Sequence, residues 1–393
     1  MKIKFVKEEL LHATRVVSSI VPPQTSLPIL GNILIRAKKD EVTFLACDME
    51  SSVRCVVKGE IEKEGEITVP AVPFSTLVRE LPDSEILIWL DEDENVHVEA
   101  EKNIYRLQTM SPSDFPVWSE FDPLISFEIP QKILKRMIDK TLFAIPAKDP
   151  RKVLLGAYLT VDNDLPEFME TKEIEKPVHI SMVATDGKKL GYIEIAASLL
   201  SWQEQSSAII PQKVLAELQK LVSEEGQVII GIGEKQVFFR FGDTEFKTNK
   251  IEGDFPNYEM VIPKEFNHII TIDRTGFISA IKRASIISES QNNSIVFRFT
   301  GGEVELSAMT FDLGSFQGSY PVEYEEEEIE VAFNFKYLLE VLNVMDTDKL
   351  TMHVKEPNKP IIFHEQGHQE TLYLVMPIKL AGMEKGAEES ERA

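Results

Sequence analysis

A repeated order of strand and helix signals limits the folds open to this chain more than any other sequence feature. Three times, a short alternating run leads into an amphipathic helical pattern. The pairs are MKIKFV with KEELLHATRVVSSI, ISFEIP with QKILKRMIDKTLFAI, and HIITID with RTGFISAIKRASII. We therefore expect three tandem copies of one β-rich unit.

A second strand-to-helix element follows each opening. It reads ITVPAVPFSTLVREL, AIIPQKVLAELQKLV and VAFNFKYLLEVLNVM, with Pro70 and Pro211 at matching places. Alternating runs around turn residues come next, which is typical of β-hairpins, so each copy should be α+β with two helices and roughly eight short strands. The first two copies close on the related tripeptides Asp114-Phe115-Pro116 and Asp254-Phe255-Pro256.

The repeat sets the expected domain limits. A chain of 393 residues is too long for one hydrophobic core. The limits fall near 1–122, 123–262 and 263–380, and the polar residues 381–393 are predicted to form a disordered tail. The polar run VDNDLPEFMETKEIEKPV makes the middle copy longer and predicts a surface insertion.

Charge and composition narrow the classes of function. The net charge of -23 argues against a general attraction to nucleic acid, although a local basic surface remains compatible with it. The sequence contains neither a membrane-length apolar run nor a signal-peptide run, so we expect a cytoplasmic protein without a membrane partner. Cys47 and Cys55 are interpreted as reduced strand residues.

The first helix of the middle copy, residues 131–143, has two distinct faces at about 100° per residue. One face carries Ile133, Leu134, Met137, Ile138 and Leu142. The other carries Lys132, Lys135, Arg136 and Lys140, interrupted only by Asp139. This face is either an ordinary solvated surface or a weak phosphate-binding surface without base readout. Lys282 and Arg283 give the corresponding helix of the last copy a similar bias.

The one motif that suggests metal-dependent catalysis lacks the helix that such a site requires. His364-Glu365-Gln366-Gly367-His368 matches the HExxH pattern of zinc proteases, which requires a helix, yet it lies between two strand-like runs. We interpret it as a hairpin and expect no metal site.

Other motifs are also incomplete. Asp91, Asp93 and Asn95 imitate a calcium loop, but Val96 stands where glycine is needed, so a hairpin turn is expected. The segment from Gly231 to Gly233 lacks the third glycine of a dinucleotide site, and no phosphate-binding loop occurs. We therefore predict a non-catalytic protein without a cofactor.

Four segments, spread over all three copies, carry a resemblance to a known family. They are LPILGN at 27–32, VATDG at 183–187, DFPNY at 254–258 and VMPIKL at 375–380. Over residues 1–380 the chain resembles the bacterial DNA polymerase III β subunit, the sliding clamp family.

The resemblance implies a fold, an assembly and partners. In this family helices line a central hole, antiparallel sheets lie outside, and two chains pair head to tail in a ring around duplex DNA. The expected function is to tether the replicative polymerase and so confer processivity. The clamp loader and repair polymerases would dock through short linear peptides.

The resemblance also assigns residues to three surfaces. The dimer contact would use Tyr105, Leu107, Ile286 and Ile287. The peptide-binding pocket would use Leu154, Thr185, Gly187, Lys188, Lys189, Leu190, Pro256, Val261, Leu374, Met376, Pro377, Ile378 and Lys379. DNA contacts would come from Gln24, Lys132, Lys135, Arg136, Lys140, Lys148, Arg151, Lys152, Lys282 and Arg283.

The chain departs from the family pattern in places. Gln24 and Val72 stand where relatives often have arginine, which weakens the expected DNA contacts of the first copy. Lys188 and Lys189 replace a common His-Arg pair, and Lys379 replaces an arginine, so polar contacts to a peptide should differ.

Two alternatives stay open at this point. One is a metal-dependent hydrolase that uses His364 and His368. The other is a peptide-binding scaffold of the same architecture that never encloses DNA. A stable dimer would favour the clamp, and a monomer would favour the scaffold.

Overall fold

The computed structural model describes residues 1–162, 178–202, 206–288 and 293–379. The predicted disordered tail and nearly all of the predicted surface insertion lie outside the described residues. Within them, the pairings between neighbouring strands given below are all antiparallel.

The first third of the chain contains two α-helices and a series of short strands. The helices are α1 (Lys7–Ser18) and α2 (Ala71–Glu80). The strands are β1 (Lys2–Val6), β2 (Asn32–Lys38), β3 (Glu41–Cys47), β4 (Ser51–Val57), β5 (Glu60–Lys63), β6 (Gly65–Pro70), β7 (Glu85–Leu90), β8 (Val96–Ala100) and β9 (Asn103–Leu107).

The middle third repeats this order. Its helices are α3 (Gln131–Leu142) and α4 (Gln212–Leu221). Its strands are β10 (Ile125–Pro130), β11 (Gly156–Asp162), β12 (Val178–Thr185), β13 (Lys189–Trp202), β14 (Ser207–Pro211), β15 (Gln227–Ile232), β16 (Gln236–Phe241) and β17 (Thr244–Asn249).

The last third repeats it again. Its helices are α5 (Arg274–Ser288) and α6 (Phe335–Val344). Its strands are β18 (His268–Asp273), β19 (Ser294–Thr300), β20 (Glu303–Thr310), β21 (Gly314–Pro321), β22 (Ile329–Asn334), β23 (Lys349–Val354), β24 (Ile361–Glu365) and β25 (His368–Val375).

This order confirms the repeat. β1, β10 and β18 each lead directly into a helix, and so do β6, β14 and β22. Pro70 and Pro211 both occupy the residue before the second helix, where a fixed φ near −60° is compatible with a helix entrance. In the third copy Asn334 takes this place and caps the helix, because its side chain accepts a hydrogen bond from the backbone N–H of Lys336.

The chain forms two compact units, of which the first comprises residues 1–135 and 198–250. Its smaller sheet has the order β5-β1-β7-β8-β9. Its larger sheet continues from β10 through β15, β16, β17, β4 and β3 to β2 and β6. β4 alternates buried and half-buried residues, as a strand does when one face is covered by a helix, and α1 packs on that face.

Gly231 on β15 is small because an aromatic ring packs against its backbone. The ring of Phe121 packs on Gly231, and a Cβ there would lie 2.9 Å from that ring. The lack of a side chain at Gly231 therefore leaves room for this ring against β15. Cys47 and Cys55 are buried free thiols on β3 and β4, which confirms the prediction that both lie on strands.

The second unit comprises residues 136–197 together with the chain from residue 251 onward. One sheet runs β18-β23-β24-β25 and continues to residues 189–193 of β13, beside which lie β12 and β11. A second sheet has the order β21-β20-β19-β22. The core between them includes Phe277 from α5 and Phe297, Phe333 and Phe363 from the strands, all buried.

None of the helices in the described ranges is long and apolar enough to cross a membrane.

Candidate functional site

A tight turn between β12 and β13 forms one edge of the candidate site in the second unit. The carboxylate of Asp186 accepts hydrogen bonds from the backbone N–H groups of Lys188 and Lys189 at 2.7 and 2.9 Å. The Thr185 hydroxyl donates to the Lys189 carbonyl at 2.7 Å. Gly187 has φ +84°, a conformation that side chains disfavour, so the Asp-Gly sequence determines this turn.

An apolar cluster lies beside this turn. Leu190 and Leu374 face each other across the β13–β25 pair, and both are buried. The cluster is completed by Val183, Tyr192, Ile262, Ile362 and Leu372, with Tyr158, Phe255, Tyr258, Phe266 and Met376 packed against it. The rings of Tyr158 and Phe255 stack with centroids 5.1 Å apart. Several separate segments thus meet in one apolar cluster.

Partly exposed residues border the cluster. Met376 and Pro377 are half-buried, whereas Pro256 and Val261 are exposed, Val261 by 48%. The backbone N–H of Met376 donates to the Lys188 carbonyl at 2.7 Å, which attaches the segment after β25 to the turn. Such a mix of a buried floor and an accessible apolar rim suits a short apolar ligand.

Two segments lie next to this rim. Leu154 is buried at the end of a short 3₁₀ helix, Lys152–Leu154. Its neighbour Val153 approaches Gly253 so closely that a Cβ there would lie 2.8 Å from the valine. After Met376, the backbone N–H of Ile378 donates to the Ala332 carbonyl at 2.7 Å, Ile378 is half-buried, and Lys379 is exposed.

The two lysines of the turn have different environments. Lys188 is exposed, but Lys189 is buried, with its ammonium paired to Glu340 and placed 5.3 Å from the ring centroid of Tyr337. Because a buried ammonium needs these partners, Lys189 cannot offer a free charge to a ligand. This placement corrects the expectation that both lysines supply polar contacts at the pocket.

Arg151 lies against the outer side of the same turn. Its guanidinium binds the Asp149 carboxylate through two hydrogen bonds of 2.9 Å and also donates to the Asp186 carbonyl. This fork lowers the pKa of Asp149 to about 2. The side chain is still 56% exposed. The neighbouring Lys148 and Lys152 are exposed as well.

The basic residues of α3 do not form one uniform face. Lys132 is exposed. Lys135 pairs with Glu224 at 2.5 Å, and Arg136 pairs with Glu370 at 2.8 Å. Lys140 is 1% exposed, and its ammonium binds Glu365 at 2.8 Å and the Val344 carbonyl. The prediction that Lys140 belongs to an exposed basic face is therefore wrong, because a carboxylate in the core binds it.

The remaining residues predicted to contact DNA or a second chain are mostly exposed within their own unit. Gln24 and Val72 are exposed in the first unit, and Lys282 and Arg283 are exposed on α5 in the second. β9 pairs with β8 at the edge of its sheet, and its Tyr105 is 39% exposed, while Leu107 is half-buried. On α5, Ile286 is 68% exposed and Ile287 packs against the core. An edge strand with apolar side chains is a typical place for contact with another chain.

The HExxH segment forms the hairpin between β24 and β25, with Gly367 at φ +85° in the turn. The Glu365 carboxylate is occupied by Lys140 and by the Tyr373 hydroxyl at 2.8 Å. His364 Nδ1 lies 3.0 Å from the Thr371 carbonyl oxygen. The glutamate and histidines therefore have structural partners here, and the helix that this metal motif needs is replaced by strands.

Three family models match the chain in order. The N-terminal domain of the DNA polymerase III beta subunit matches residues 1–119, the central domain matches 128–257 and the C-terminal domain matches 259–379. The chain belongs to the DNA polymerase III beta subunit family. Its fold is thus three tandem clamp domains built from helices and antiparallel sheets.

Relatives match nearly the whole chain. A protein of Chlamydia pneumoniae named Beta sliding clamp is 28% identical over 97% of this chain and 99% of the relative. The Beta sliding clamp of Caulobacter vibrioides is 29% identical over 97% of this chain and 100% of the relative.

Solved structures of the family agree in fold. The DNA polymerase III subunit beta of Pseudomonas aeruginosa matches with a TM-score of 0.89 and 29% identity, over 97% of this chain and 100% of the other. A sliding clamp of the same organism, solved with griselimycin bound, matches with a TM-score of 0.89 and 28% identity over the same shares.

The structure brings Leu190, Leu374 and Met376 into one cluster and places the predicted turn residues beside it. Sequence reasoning missed the aromatic residues Tyr158, Tyr192, Tyr258 and Phe266 that pack there. Tyr258 belongs to the DFPNY segment, one of the four that carry the family resemblance, so the aromatic content of that segment is the signal that could have found it.

Proposed function

We propose that the chain is a DNA sliding clamp, a non-catalytic subunit that keeps the replicative polymerase at its template. The observation that carries this proposal is the ordered match of all three clamp domains across nearly the whole chain. Two copies pair head to tail and encircle duplex DNA, so the ring holds the polymerase through topology and not through tight binding.

Contact with DNA is loose and independent of sequence. Lysines and arginines on helix faces bind phosphates and do not read base edges. Of the predicted contact residues, we retain those that are both basic and exposed, and we keep Gln24 as a weaker contact. The basic residues retained are Lys132, Lys148, Arg151, Lys152, Lys282 and Arg283. Lys140 is excluded because it is buried, and Lys135 and Arg136 because they are half-buried and bind carboxylates. Arg151 also binds a carboxylate, that of Asp149, but it is retained because its side chain is 56% exposed.

The net charge of -23 suits this mode of action. The many acidic residues repel the DNA backbone and keep the overall affinity for DNA low. The few basic residues that face the duplex bind it weakly, so the ring can slide along the DNA. The affinity for DNA should therefore depend strongly on salt, whereas retention on a closed circle should depend on it much less.

The apolar cluster beside the 185–189 turn is the proposed docking site for short linear peptides. Leu190 and Leu374 form its floor, and Pro256, Val261 and Met376 form its rim. Peptides of the replicative polymerase, the clamp loader and repair polymerases would compete for it. Tethering through such a peptide raises the local concentration of an active site at the primer end.

The proposed dimer contact joins β9 of one copy to α5 of its partner. The edge strand offers Tyr105 and Leu107, and the helix offers Ile286 and Ile287. Burial of these apolar side chains supplies the main driving force. The proposed domain limits stay near residues 122 and 262.

Loading the ring on DNA tests the topological mechanism. The labelled full-length chain is loaded on nicked circular DNA with a clamp loader and ATP, and half of the sample is then linearised with a restriction enzyme. We expect retention on the circle and loss from the linear form. Equal loss from both would reject the proposal. A peptide-binding scaffold that never encloses DNA would give that result together with a monomeric mass.

A further inference from the structure

Three potential metal ligands from distant parts of the sequence meet in the first unit. His12 lies on α1, Cys55 lies on β4, and Asp243 lies in the turn between β16 and β17. One donor atom of each lies within 4.8 Å of the other two. His12 Nε2 is 3.2 Å from Asp243 Oδ1.

The backbone determines this meeting. β17 pairs with β4 so that Thr244 stands opposite Cys55. The backbone N–H of Val56 donates to the Asp243 carbonyl at 3.0 Å, which fixes the turn on β4. Cys55 points to the covered face of β4, where α1 packs, and α1 carries His12 to the edge of that face. The donors are thus held by three ordered elements.

The donor set has a chemical preference. A thiolate, an imidazole and a carboxylate together suit Zn²⁺, whereas Ca²⁺ and Mg²⁺ prefer oxygen ligands alone. Two ligand atoms bound to one tetrahedral zinc at about 2.1 Å lie about 3.4 Å apart. The 3.2 Å between His12 and Asp243 is close to that spacing. Three protein ligands leave a fourth position for water.

We propose that His12, Cys55 and Asp243 bind one zinc ion. The ion joins the first helix of the chain to the β16–β17 turn and to β4, so it links segments of the first and middle copies. This function is independent of DNA and of the peptide-binding site.

The same three residue types also occur in cysteine hydrolases, but burial argues against that role. Cys55 has no exposed surface, so a substrate carbonyl cannot reach its sulfur. A single ion needs only the donor atoms, and it can enter beside the His12 and Asp243 side chains, which are 47% and 43% exposed.

The three side chains also interact directly with one another. Hydrogen bonds to Asp243 and Cys55 favour the imidazolium and raise the pKa of His12 to about 10. A bound dication would take the place of that proton, because imidazole binds metal only in its neutral form.

Metal binding by the full-length chain tests the proposal. The protein is treated with a chelator, dialysed against Zn²⁺ and analysed for bound metal, and Co²⁺ is used in parallel for its thiolate charge-transfer absorption. We expect one ion per chain with the absorption band. Asp243→Asn and His12→Gln should each weaken binding by more than the roughly 10- to 100-fold that loss of a supporting hydrogen bond costs.

Matched variants separate this site from other sources of metal binding. Cys47→Ser changes a buried thiol on the neighbouring strand and should leave binding unchanged, whereas Cys55→Ser should abolish the cobalt–thiolate band. Zn²⁺ should raise the thermal unfolding temperature of wild type and Cys47→Ser but not of Asp243→Asn. Absence of bound metal in wild type would overturn the proposal. So would binding that persists in all three site variants, or that is lost only on His368→Gln.

Discussion

The ammonium of Lys140 on α3 lies 2.8 Å from the Glu365 carboxylate at the end of β24, with side chains 1% and 0% exposed. Tyr373 also donates to this carboxylate, and the backbone N–H of Asp346 donates to its second oxygen at 2.6 Å. Lys140 is thus a core residue in a helix whose Lys132 faces solvent.

Replacing Lys140 should therefore affect stability and not DNA binding. Lys140→Met leaves the Glu365 carboxylate buried without its cation, which should cost about 3–5 kcal/mol in unfolding free energy. Lys140→Met combined with Glu365→Gln should recover much of this loss. Lys132→Met is the matched exposed control and should change stability by less than about 0.5 kcal/mol. Urea unfolding measures all three, and a fully stable Lys140→Met would contradict the assignment.

Exposed lysine and arginine on α5 should determine part of the salt dependence of DNA binding. Lys282→Glu with Arg283→Glu should make the plot of log affinity against log salt less steep, by about 0.9 for each phosphate that the variant no longer binds. Lys38→Glu with Lys58→Glu makes the same change of charge at two exposed residues of the first copy. Fluorescence anisotropy of a labelled duplex over a salt series compares them. Equal slopes for the two double variants would count against a DNA contact at α5.

Val261 tests the proposed peptide-binding site. Val261→Asp introduces a charge at the rim of the apolar cluster and should weaken a labelled polymerase-derived peptide at least about tenfold, because a desolvated charge without a partner is costly. The neighbouring Met260 is 82% exposed and lies outside the predicted pocket, so Met260→Asp is the matched control. Fluorescence polarisation gives both affinities. Similar losses for the two variants would indicate a general charge effect.

Ile286 tests the proposed dimer contact. Ile286→Asp should convert the dimer to monomer at micromolar concentration, since a buried unpaired carboxylate opposes association. Ile269→Asp changes an isoleucine of β18 that is 50% exposed and should leave the mass unchanged. Light scattering after gel filtration measures both. A dimeric Ile286→Asp would exclude α5 from the contact.

His353 should make the last copy sensitive to acid. Burial and then the charge of His364 lower the pKa of His353 to about 4, below the ordinary value of 6.5. Between these values the unfolded chain binds more protons than the folded chain. The stabilising contribution is complete above pH 6.5 and is lost as the pH falls towards 4, by at most about 1.4 kcal/mol per pH unit.

Substitution of His353 should reduce this pH dependence. His353→Gln should flatten the fall of the urea midpoint between pH 6.5 and pH 4 relative to wild type. His368→Gln removes a more exposed histidine of the nearby hairpin and should leave the fall as steep as in wild type. An unchanged slope in His353→Gln would show that another group causes the acid sensitivity.

Local sequence patterns predicted the fold well because the features that define the repeat depend on residues that are close together in sequence. The strand-to-helix openings, Pro70 and Pro211 before the second helices, and the hairpin at His364 all follow from neighbouring residues. The environments of Lys140 and Lys189 depend instead on Glu365 and Glu340, which lie far away in sequence. A helical wheel assigns a lysine to a polar face without knowing which carboxylate the fold brings to it.

The candidate site shows the same division. The turn at residues 186–187 could be predicted from its Asp-Gly sequence, because the positive φ of Gly187 favours glycine. The stacking of Tyr158 on Phe255 depends on strand register and could not be read from spacing. His12, Cys55 and Asp243 lie far apart in sequence, and they meet only because β17 pairs with β4 and α1 packs on β4.

The segment after β25 is positioned by main-chain atoms. Met376 and Ile378 both donate their backbone N–H groups to carbonyl oxygens, of Lys188 and Ala332. Any residue except proline can make these two bonds, so the side chains of this segment are free to vary without moving its backbone. If this segment borders the proposed peptide-binding site, exchange of its side chains would alter the ligand preference of the site without moving it.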